Sequence, residues 1–555
     1  MELAAIIYCN ANNSPARFIV FYDTKLHKNI RYSTLFRIFA PKFYINFHNM
    51  NIFTFLTSPQ GLGLIASLLV CCWVARMIFK KYKPQTVLLL AGIVLFSFVI
   101  FINWIWGESI GIIGNQYLPP DHTLNTVRTL HNPVLDIFAS MERLFSNRVA
   151  GLGMLIMAVM GFVKYMDAIG ANRTLVRIGV KPLRFIKSPY LVLVFAFLLG
   201  LMMKMAITSA AGLGVLLMAT MFPIMLQLGV SRAAATAVIA TTGFIDLGPA
   251  AGINVAIVEA AGILTSDGSA DVALYFIRYQ LPVAIPTIIV AAILHFFVQR
   301  WFDKKEGYVP FSEKIEVENS TDNEEKVPPY YAIFPTLPLF LVLTMNEMVI
   351  VEVNKVLASL GSSFQFIPRT IGLVAAILIS LFITMTIEYI RTFNAKKVFD
   401  SIQTVFDGMG VAFATVVTLI VAGEVFAAGL LSTGSIHTML NFATESGMGI
   451  TPIAIFLQGL MATATFLMGS GDAAIFSFMS VGAVVAEHFG VEPIALLMPM
   501  QIASSIARSF SPITAVVVAV STIAGLSPIE VVKRTAIPMI GGLITVTVMN
   551  IILFL

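Results

Sequence analysis

Charged residues are scarce in this sequence: they occupy 12% of its 555 positions, about half of the ~25% typical of a soluble domain. Hydrophobic residues occupy 58%. Many apolar runs reach the ~20 residues that an α-helix needs to cross a bilayer, and they lack the alternation of a membrane β-barrel. The composition therefore excludes a soluble protein and predicts an all-α polytopic membrane protein.

Cysteine and histidine are also rare. The three cysteines, Cys9, Cys71 and Cys72, are too few and too irregularly spaced for a disulfide framework, a zinc site or a redox pair. The seven histidines fall mostly in loops or at helix ends, so the sequence indicates no histidine-based proton relay. We predict no cofactor and no nucleic-acid partner, and the sequence alone assigns no metal site.

The first 49 residues differ from the rest of the chain, because basic side chains are scattered there among polar and aromatic positions. They contain no signal-peptide hydrophobic region and no cleavage site. Met50 lies eleven residues before the first spanning segment. We therefore interpret residues 1–49 as an N-terminal extension produced by a start codon assigned too far upstream.

The positions of lysine and arginine predict how the first half crosses the membrane. A basic turn at 80–83 joins the first two spans, and a third span at 150–169 leads into a basic segment at 170–187. By the positive-inside rule both basic stretches are cytoplasmic, which places 107–149 outside. We expect a bacterial inner-membrane location with both termini in the periplasm.

Two later regions of the first half contain interrupted helices. Residues 190–228 form two apolar arms around small residues at 208–212, which fits either two full spans with a tight turn or a re-entrant hairpin. Residues 231–263 form an apolar stretch that is too long for one straight span and is interrupted at 241–243. This stretch predicts a broken helix.

The second half repeats the first at a nearly constant offset, as in many transporters. Ser470 lies 261 positions after Ser209. Other pairs, at offsets of 261 to 263, are Gly229 with Gly490, Pro249 with Pro512 and Gly262 with Gly525. The sequence therefore divides into a first repeat, a charged cytoplasmic linker and a second repeat, at 50–300, 301–330 and 331–555.

Charge decides whether the two repeats are parallel or inverted. The segment after the third span of the first repeat carries five basic residues, whereas its counterpart at 431–450 carries none. The two segments therefore belong on opposite sides of the membrane. We predict two inverted repeats, each with about five transmembrane helices, one re-entrant hairpin and one broken helix. The number of crossings per repeat is odd whether or not the hairpins cross fully.

Inverted repeats with interrupted helices place substrate and ion sites near the middle of the bilayer, where broken backbone must be buried or line a wet cavity. Four breaks occur, at 208–212, 241–252, 469–472 and 504–512. Free N–H groups at half-helix ends suit an anion, and small side chains allow it a close approach. The predicted substrate-binding residues are Thr208, Ser209, Ala210, Gly212, Gly469, Ser470, Gly471, Arg508, Ser509, Ser511 and Pro512.

Charged residues near these breaks are costly to insert, at roughly 2.5 to 3.5 kcal/mol each, and therefore indicate function. Arg508 is the strongest candidate, because its planar guanidinium matches a carboxylate bidentately. Its alternative partners are a backbone carbonyl or an internal carboxylate. The candidates for cation or proton coupling are Asp246, Asn254 and Asp472. Pairing with Arg508 or Lys204 is the simpler role for the two aspartates. Three further charged residues rank lower, because a charged side chain on a helix face often reaches the membrane interface or a partner helix. They are Lys204, Glu259 and Glu424.

Two other functions remain open from the residues alone. Gly469 to Asp472 spell GxGD, a pattern of intramembrane aspartyl proteases, but no second aspartate can be paired with Asp472 by sequence. The mirrored tip at 208–212 has no aspartate at all. A passive channel is the other alternative, although two broken repeats suit alternating access better. We therefore predict a transporter and not an enzyme.

Four stretches carry a resemblance to a known family. They are SPYLVLVFAFLLGLMMKMAITSAAGLGVLLMAT at 188–220, FVQRWFDKKE at 297–306, RTFNAKKVF at 391–399 and ARSFSPITAVVVAVSTIAGLSPIEVVKRT at 507–535. From about Met50 onward the sequence resembles the DcuC/DcuD family of anaerobic C4-dicarboxylate transporters, within the ion-transporter superfamily. The resemblance implies a homodimer with scaffold and transport regions. It also implies hairpin tips at 208–210 and 469–471 and a second broken helix that holds Arg508.

The resemblance further implies secondary active transport of succinate, fumarate, malate or aspartate by cation-coupled symport, exchange or efflux. We expect the dicarboxylate to lie between the two hairpin tips, with one carboxylate at each half-site and Arg508 holding one of them. H+ or Na+ would offset the remaining charge. The alternative is a carrier of another carboxylate, an amino acid or a peptide-like substrate in the same superfamily.

Overall fold

The computed structural model describes residues 57–80, 82–106, 133–186, 188–265, 268, 270–308, 327–360, 364–366 and 370–555. This part of the chain is helical, and its single β-bridge joins Leu264 and Ala270. Ten of its helices are long and apolar enough to cross a membrane, or eleven if one bent pair counts as a span. The predicted all-α membrane class is confirmed. The N-terminal extension, the segment at 107–132 and most of the linker lie outside the described residues.

The helices of the first half are mostly separated by only a few residues. They are α1 (Pro59–Phe79), α2 (Pro84–Trp106), α3 (Pro133–Arg148), α4 (Met154–Ala168), α5 (Ala171–Gly179), α6 (Pro189–Lys204), α7 (Ala210–Gln227), α8 (Arg232–Thr241), α9 (Gly252–Ala260) and α10 (Leu281–Lys305). A helical stretch at Val272–Leu274 and a π-helix at Tyr275–Gln280 lead directly into α10. Because α10 continues to Lys305, it includes the first residues of the segment that the sequence suggested as linker.

The helices of the second half follow in a similar order. After a 3-10 helix at Pro329–Thr336 come α11 (Leu337–Thr344), α12 (Glu347–Ser359), α13 (Leu373–Thr392), α14 (Ala395–Ala412), α15 (Thr418–Ser432), α16 (Ser435–Glu445), α17 (Ile450–Met468), α18 (Gly471–Phe489), α19 (Ile494–Arg508), α20 (Ala515–Ala524) and α21 (Pro528–Phe554).

In each half a π-helix joins two helices into a rod that is longer than any span predicted from sequence. In the first half, α3 and α4 are joined by a π-helix at Val149–Gly153 into a rod of 35 residues, Val134–Ala168. In the second, α14 and α15 are joined by a π-helix at Phe413–Val417 into a rod of 38 residues. A π-helix shifts the side-chain register without ending the helix. The predicted third span at 150–169 is therefore only the second part of a rod.

The same capping signals recur in the two halves. Ser209 and Ser470 cap α7 and α18, because each hydroxyl accepts from the N–H three residues later, at 3.1 and 3.2 Å. Gly229 and Gly490 follow those two helices with φ of 79° and 66°. A left-handed glycine is the usual end of a helix. The start and the end of this helix thus recur at an offset of 261.

Short helices flank two of the predicted breaks. α8 and α9 have 10 and 9 residues, and α20 has 10. At 1.5 Å per residue each is about 15 Å long or less, which is half of a ~30 Å hydrocarbon core. Neither α8 nor α9 can cross a bilayer alone. The first break lies where the sequence suggested it, at 241–252, whereas the second, suggested at 504–512, begins only at Ser509, because α19 remains helical to Arg508 and α20 starts at Ala515.

Glycines allow close contact between helices, both within the second half and between the two halves. A Cβ at Gly423 of α15 would lie 2.2 Å from the carbonyl oxygen of Phe476 in α18, and one at Gly92 of α2 would lie 2.6 Å from that of Val425 in α15. Small residues let membrane helices approach to backbone contact in this way. Large apolar side chains such as Phe382, which is 70% exposed, instead face outward, as expected for lipid contact.

Candidate substrate and ion site

Asp246 lies at the centre of a buried cluster of charged and polar side chains. It sits in the break between α8 and α9 and is 4% exposed. Its carboxylate contacts three side chains, those of Lys204, Ser505 and Arg508. These residues come from the first hairpin and from the second broken helix. The cluster therefore joins three of the four breaks that the sequence identified.

Lys204 connects the first hairpin to the first broken helix. It is the last residue of α6, and its Nζ lies 2.6 Å from Oδ1 of Asp246. Nζ also donates to the carbonyl oxygen of Thr208, at 2.5 Å. A lysine at a helix C-terminus is well placed to bind free carbonyl groups. The sequence ranked Lys204 low, whereas the structure places it inside the cluster.

Arg508 connects the second broken helix to the first. It is the last residue of α19, and its Nη2 donates to the carbonyl oxygen of Gly243 at 2.8 Å and to Oδ2 of Asp246 at 2.9 Å. Ser505 donates to the same Oδ2 at 2.8 Å. Both alternative partners considered for Arg508, a backbone carbonyl and an internal carboxylate, are therefore present.

Two buried amide side chains shape the break around Asp246. Asn254 donates to the carbonyl oxygens of Asp246 and Gly248, both at 2.7 Å. Gln280 donates to the carbonyl of Asp246 at 2.9 Å and accepts from the N–H of Gly248 at 3.1 Å. Three backbone groups freed by the break, the carbonyls of Asp246 and Gly248 and the N–H of Gly248, are thereby paired. Sequence reasoning missed Gln280, because an isolated glutamine in an apolar run carries no signal of its partner.

The hydroxyl groups of the two tips are mostly used within the protein. Ser209 and Ser470 cap α7 and α18, and Ser511 donates to a backbone carbonyl of α17 at 2.7 Å. A Cβ at Gly471 would lie 2.9 Å from the carbonyl oxygen of Ser504, so the second tip rests directly on α19. These residues hold the tips in place, and fewer hydroxyls are open to a ligand than the sequence suggested.

The remaining predicted residues contribute through the shape of the backbone. Gly469 has a φ of 71° at the end of α17, and the N–H of Gly212 is the group that Ser209 caps. A Cβ at Gly243 would lie 3.0 Å from the Cβ of Ala210, so the first tip touches the first broken helix. Pro512 lies in the second break, where its missing N–H needs no partner.

Asp472 approaches the cluster from the second tip. It lies in the first turn of α18, and its Oδ1 is 3.9 Å from Nη1 of Arg508. Its side chain is 45% exposed, against 6% for Asp246. Arg508 therefore faces one buried carboxylate that it binds closely and one accessible carboxylate that it holds loosely.

Three buried donors in this region have no hydrogen-bond partner among the described residues. They are Oγ1 of Thr208, Nε of Arg508 and Oγ of Ser509. Leaving a buried polar atom unpaired costs about 1–3 kcal/mol, so such atoms are rare in native proteins. All three belong to residues predicted to bind substrate. An acceptor such as a carboxylate would pair them.

His295 is a histidine inside a spanning helix, and it contacts the end of α8. It is fully buried within α10, and its Nε2 lies 3.0 Å from Oγ1 of Thr241, the last residue of α8. Its Nδ1 lies 3.4 Å from the amide nitrogen of Gln299. The sequence placed most histidines in loops or at helix ends, and a single histidine in an apolar run does not reveal such contacts.

Glu259 and Glu424 belong to a different cluster, around Arg148. Nη1 of Arg148 lies 2.9 Å from Oε1 of Glu259, and its Nε lies 2.6 Å from Oε1 of Glu424. This cluster joins the ends of α3 and α9 to the middle of α15. Within the part of the chain that the structure describes, no group of three or more His, Cys, Asp or Glu is arranged to hold a metal ion.

The chain is similar to known transporters along almost its whole length. A family model described as DcuC, C4-dicarboxylate anaerobic carrier, matches residues 62–555. The chain is 36% identical over 493 residues to the "Probable anaerobic C4-dicarboxylate transporter DcuC" of Vibrio cholerae. This alignment covers 89% of this chain and 98% of that protein. It is 35% identical over 485 residues to the anaerobic C4-dicarboxylate transporter DcuC of Escherichia coli K12, with 87% and 95% covered.

Two solved structures share the fold. The YdaH transporter of Alcanivorax borkumensis aligns with a TM-score of 0.53 and 13% identity, covering 85% of this chain and 98% of that one. MtrF of Neisseria gonorrhoeae aligns with a TM-score of 0.51 and 14% identity, covering 85% and 95%. At these identities the likeness concerns the fold alone.

Proposed function

The chain belongs to the DcuC family of C4-dicarboxylate anaerobic carriers, and from this we propose that it moves succinate, fumarate, malate or aspartate by secondary active transport. It is a multi-pass membrane transporter of C4-dicarboxylates and not an enzyme, which removes the protease suggested by the GxGD pattern. We propose that the cluster around Asp246 selects among four-carbon acids and binds the coupling ion, H+ or Na+.

The observation that carries this proposal is that Lys204 and Arg508 share the carboxylate of Asp246. The two cations bind one buried carboxylate closely, whereas Asp472, the other carboxylate near them, is 3.9 Å from Arg508 and 45% exposed, so Arg508 keeps capacity for a substrate carboxylate. A substrate carboxylate at Arg508 would pair with the free Nε of the guanidinium and with Oγ of Ser509. Charge-assisted bonds of this kind are about twice as strong as neutral ones.

We place the second substrate carboxylate at the first hairpin tip. Oγ1 of Thr208 is unpaired there, and the N-terminus of α7 begins two residues later. A helix N-terminus presents free N–H groups and a positive dipole end to an anion. In this arrangement Asp246, Asn254 and Asp472 are the groups that bind the coupling cation. The buried Oδ1 of Asn254 supports this, because it has no partner in the described part of the chain.

We further propose that the two halves are inverted repeats, each with about five crossings, a re-entrant hairpin and a broken helix. The recurring caps at Ser209 and Ser470 and the absence of basic residues at 431–450 support this arrangement. Both termini would then face the periplasm across a bacterial inner membrane. As the family resemblance implies, we propose a homodimer in which the hairpin region moves like an elevator against a scaffold.

Uptake of labelled succinate and fumarate by proteoliposomes containing the full chain tests the proposal. We expect uptake by the wild type and a loss of uptake in Arg508→Ala, because the anion loses its bidentate partner. Arg300→Ala, which removes an exposed arginine at the end of α10, is the matched control and should transport normally. Normal uptake by Arg508→Ala would contradict the assigned role. Uptake of amino acids or peptides in place of dicarboxylates would contradict the substrate assignment.

The coupling ion is tested in the same vesicles by imposing one gradient at a time. A proton gradient and a sodium gradient are compared for their ability to drive succinate accumulation above its external concentration. Accumulation driven by only one of them identifies the ion. Accumulation that needs only unlabelled dicarboxylate inside the vesicles would show exchange, and uptake that merely equilibrates would show facilitated movement. Either result would remove the cation-binding role from Asp246, Asn254 and Asp472.

A further inference from the structure

A second ion cluster lies around Arg148 and shares only helix α9 with the Asp246 site. Arg148 is the last residue of α3, where the π-helix Val149–Gly153 begins. Its guanidinium lies 2.9 Å from a carboxylate oxygen of Glu259 and 2.6 Å from one of Glu424. Two carboxyl groups therefore share one cation. If both were ionised, the cluster would carry an uncompensated negative charge.

Glu424 is the more deeply buried of the two acids. Its side chain is 5% exposed, whereas that of Glu259 is 28% exposed. Its Oε2 is buried and has no hydrogen-bond partner among the described residues. The residues three and four positions away along α15 are all apolar, so no polar side chain of this helix stabilises a charge; they are Ile420, Val421, Ala427 and Ala428. An ionised carboxylate with one open oxygen is costly in such a setting.

We propose that Glu424 is a proton-binding site of the transport cycle and that Glu259 controls it through Arg148. While Glu259 shares Arg148, Glu424 holds a proton on Oε2. When Glu259 withdraws, Arg148 pairs with Glu424 alone, Glu424 ionises and its proton leaves. This inference rests on the proposed transport function, because it identifies H+ as a coupling ion and assigns it a place outside the substrate site.

Helix α9 connects this proton site to the substrate site. Asn254, in the first turn of α9, donates to the carbonyl oxygen of Asp246 at 2.7 Å, and Glu259 lies near the other end of the helix. The helix is only about 13 Å long. It packs against α19, which carries Arg508, and against the π-helix that follows Arg148. A change at the broken helix on substrate binding would therefore move Glu259 relative to Arg148.

The surroundings of Glu424 suit a proton better than a metal cation. A hard cation requires several oxygen ligands at once. At Gly423 the backbone is already so close to α18 that an added Cβ would lie 2.2 Å from a carbonyl oxygen of Phe476. The guanidinium of Arg148, 2.6 Å from Oε1, would also repel a second cation. A proton needs neither space nor further ligands.

Several of the described ionisable residues lie on helices packed against α15, but only one of them forms an ion pair with Glu424. Helix α2 and the π-helix Phe413–Val417, which pack against α15, carry no ionisable residue. The ionisable residues on the other helices packed against α15 are Asp136, Glu142, Arg143 and Arg148 on α3, His437 and Glu445 on α16, and Asp472, Glu487 and His488 on α18. Of the described residues, only Arg148 forms an ion pair with Glu424. The protonation of Glu424 therefore depends on how Arg148 is shared.

The proposal is tested by measuring protons and succinate together. Proteoliposomes containing the full chain and the trapped pH dye pyranine are given labelled succinate, for the wild type, Glu424→Gln and Glu259→Gln. We expect succinate-dependent proton movement in the wild type and its loss in Glu424→Gln. Glu259→Gln should lose it too, because Arg148 then pairs permanently with an ionised Glu424. Glu445→Gln, an exposed acid on α16, is the control and should behave as the wild type.

A second measurement does not require transport. pH-difference infrared spectra of the purified chain should contain a carboxylic-acid C=O band that disappears in Glu424→Gln and shrinks in Glu259→Gln. Glu424→Gln vesicles that still move protons with succinate would overturn the inference, as would an infrared band that this substitution leaves unchanged. If the wild type moves no succinate at all, the proposed function fails, while the infrared result still decides the protonation of Glu424.

Discussion

Lys204 and Asp246 form an ion pair of 2.6 Å in which both side chains are almost completely buried, at 1% and 6% exposure. A buried ion pair contributes little net stability, because desolvation offsets most of the attraction, but removing one partner leaves the other charge unpaired. Here the same carboxylate also binds Arg508. Asp246 is thus the counter-ion that allows two cations to remain at the site in the absence of substrate.

We predict that Asp246→Asn is strongly destabilising. It leaves the charges of Lys204 and Arg508 without their close partner, which for a buried pair costs about 3–5 kcal/mol. The measurement is the melting temperature of the detergent-solubilised chain. Asp407→Asn, which removes an exposed carboxylate of α14, should melt as the wild type does.

The double variant Lys204→Gln with Asp246→Asn distinguishes charge from packing. Because it removes a cation and an anion together, it should melt at a higher temperature than Asp246→Asn alone, which is the non-additivity expected of contacting residues. A double variant whose destabilisation equals the sum of the single ones would show that the two charges do not interact.

Substitutions at the adjacent residues Thr208 and Ser209 should have different effects: the first should weaken succinate binding, and the second should lower stability. Thr208→Val removes a buried hydroxyl that has no partner in the described structure, so the unliganded protein should be as stable as the wild type or slightly more stable. Its succinate-induced rise in melting temperature should become smaller. Ser209→Ala removes the cap of α7 and should cost about 1 kcal/mol without succinate. An unchanged succinate shift in Thr208→Val would exclude its hydroxyl from the site.

Gly423 provides a test of the close contact between α15 and α18. Gly423→Ala would place a methyl group 2.2 Å from the carbonyl oxygen of Phe476, so the helices must separate, at a cost of about 1–3 kcal/mol. Gly410→Ala in α14 is the matched control, because nothing lies within 4 Å of its Cβ position. The control should be neutral or slightly stabilising. Equal melting temperatures for the two variants would argue against the contact.

Arg534 should be essential for stability, unlike the lysine beside it. Its guanidinium lies 2.7 Å from Asp303 and 2.6 Å from Glu306, and both Arg534 and Asp303 are 2% exposed. Arg534→Ala leaves the buried carboxylate of Asp303 without its cation, although the hydroxyl of Ser231 still donates to it, and we expect a loss of about 3–5 kcal/mol. Lys533→Ala, at an exposed position, should not change the melting temperature. A similar loss of stability in both variants would mean that substitution anywhere in this part of α21 is destabilising, and would argue against the ion pair as the cause.

Local signals in the sequence explain the helix ends that recur between the halves, although the sequence analysis used these residues only for the repeat offset. Ser209 and Ser470 have a residue type that caps helices, and Gly229 and Gly490 have the one that ends them, so their positions followed from nearest neighbours alone. The membrane class and the family were likewise predictable. The length of the rods was not, because the π-helix at Val149–Gly153 changes the period that marks a single helix.

Long-range partners could not be predicted from the chain. Arg508 and Asp246 are separated by 262 positions, and Arg148 and Glu259 by 111. No helical periodicity relates positions so far apart. The sequence therefore identified Arg508 and Asp246 as candidates but could not choose between substrate and internal carboxylate as the partner of Arg508. It gave Arg148 no role at all, since an arginine after an amphipathic helix usually reaches the interface.

The proposed inversion predicts that two equivalent segments lie on opposite sides of the membrane. In a variant whose native cysteines are replaced, Lys181→Cys marks the basic segment after α5 and Ser446→Cys marks the end of α16, and both positions are exposed. Because the positive-inside rule places the first in the cytoplasm, a membrane-impermeant thiol reagent added to intact cells should label only Ser446→Cys. Inside-out vesicles should give the reverse pattern. Labelling of both cysteines from one side would mean that the repeats are parallel, and would remove the two-fold relation between the hairpin tips on which the substrate site depends.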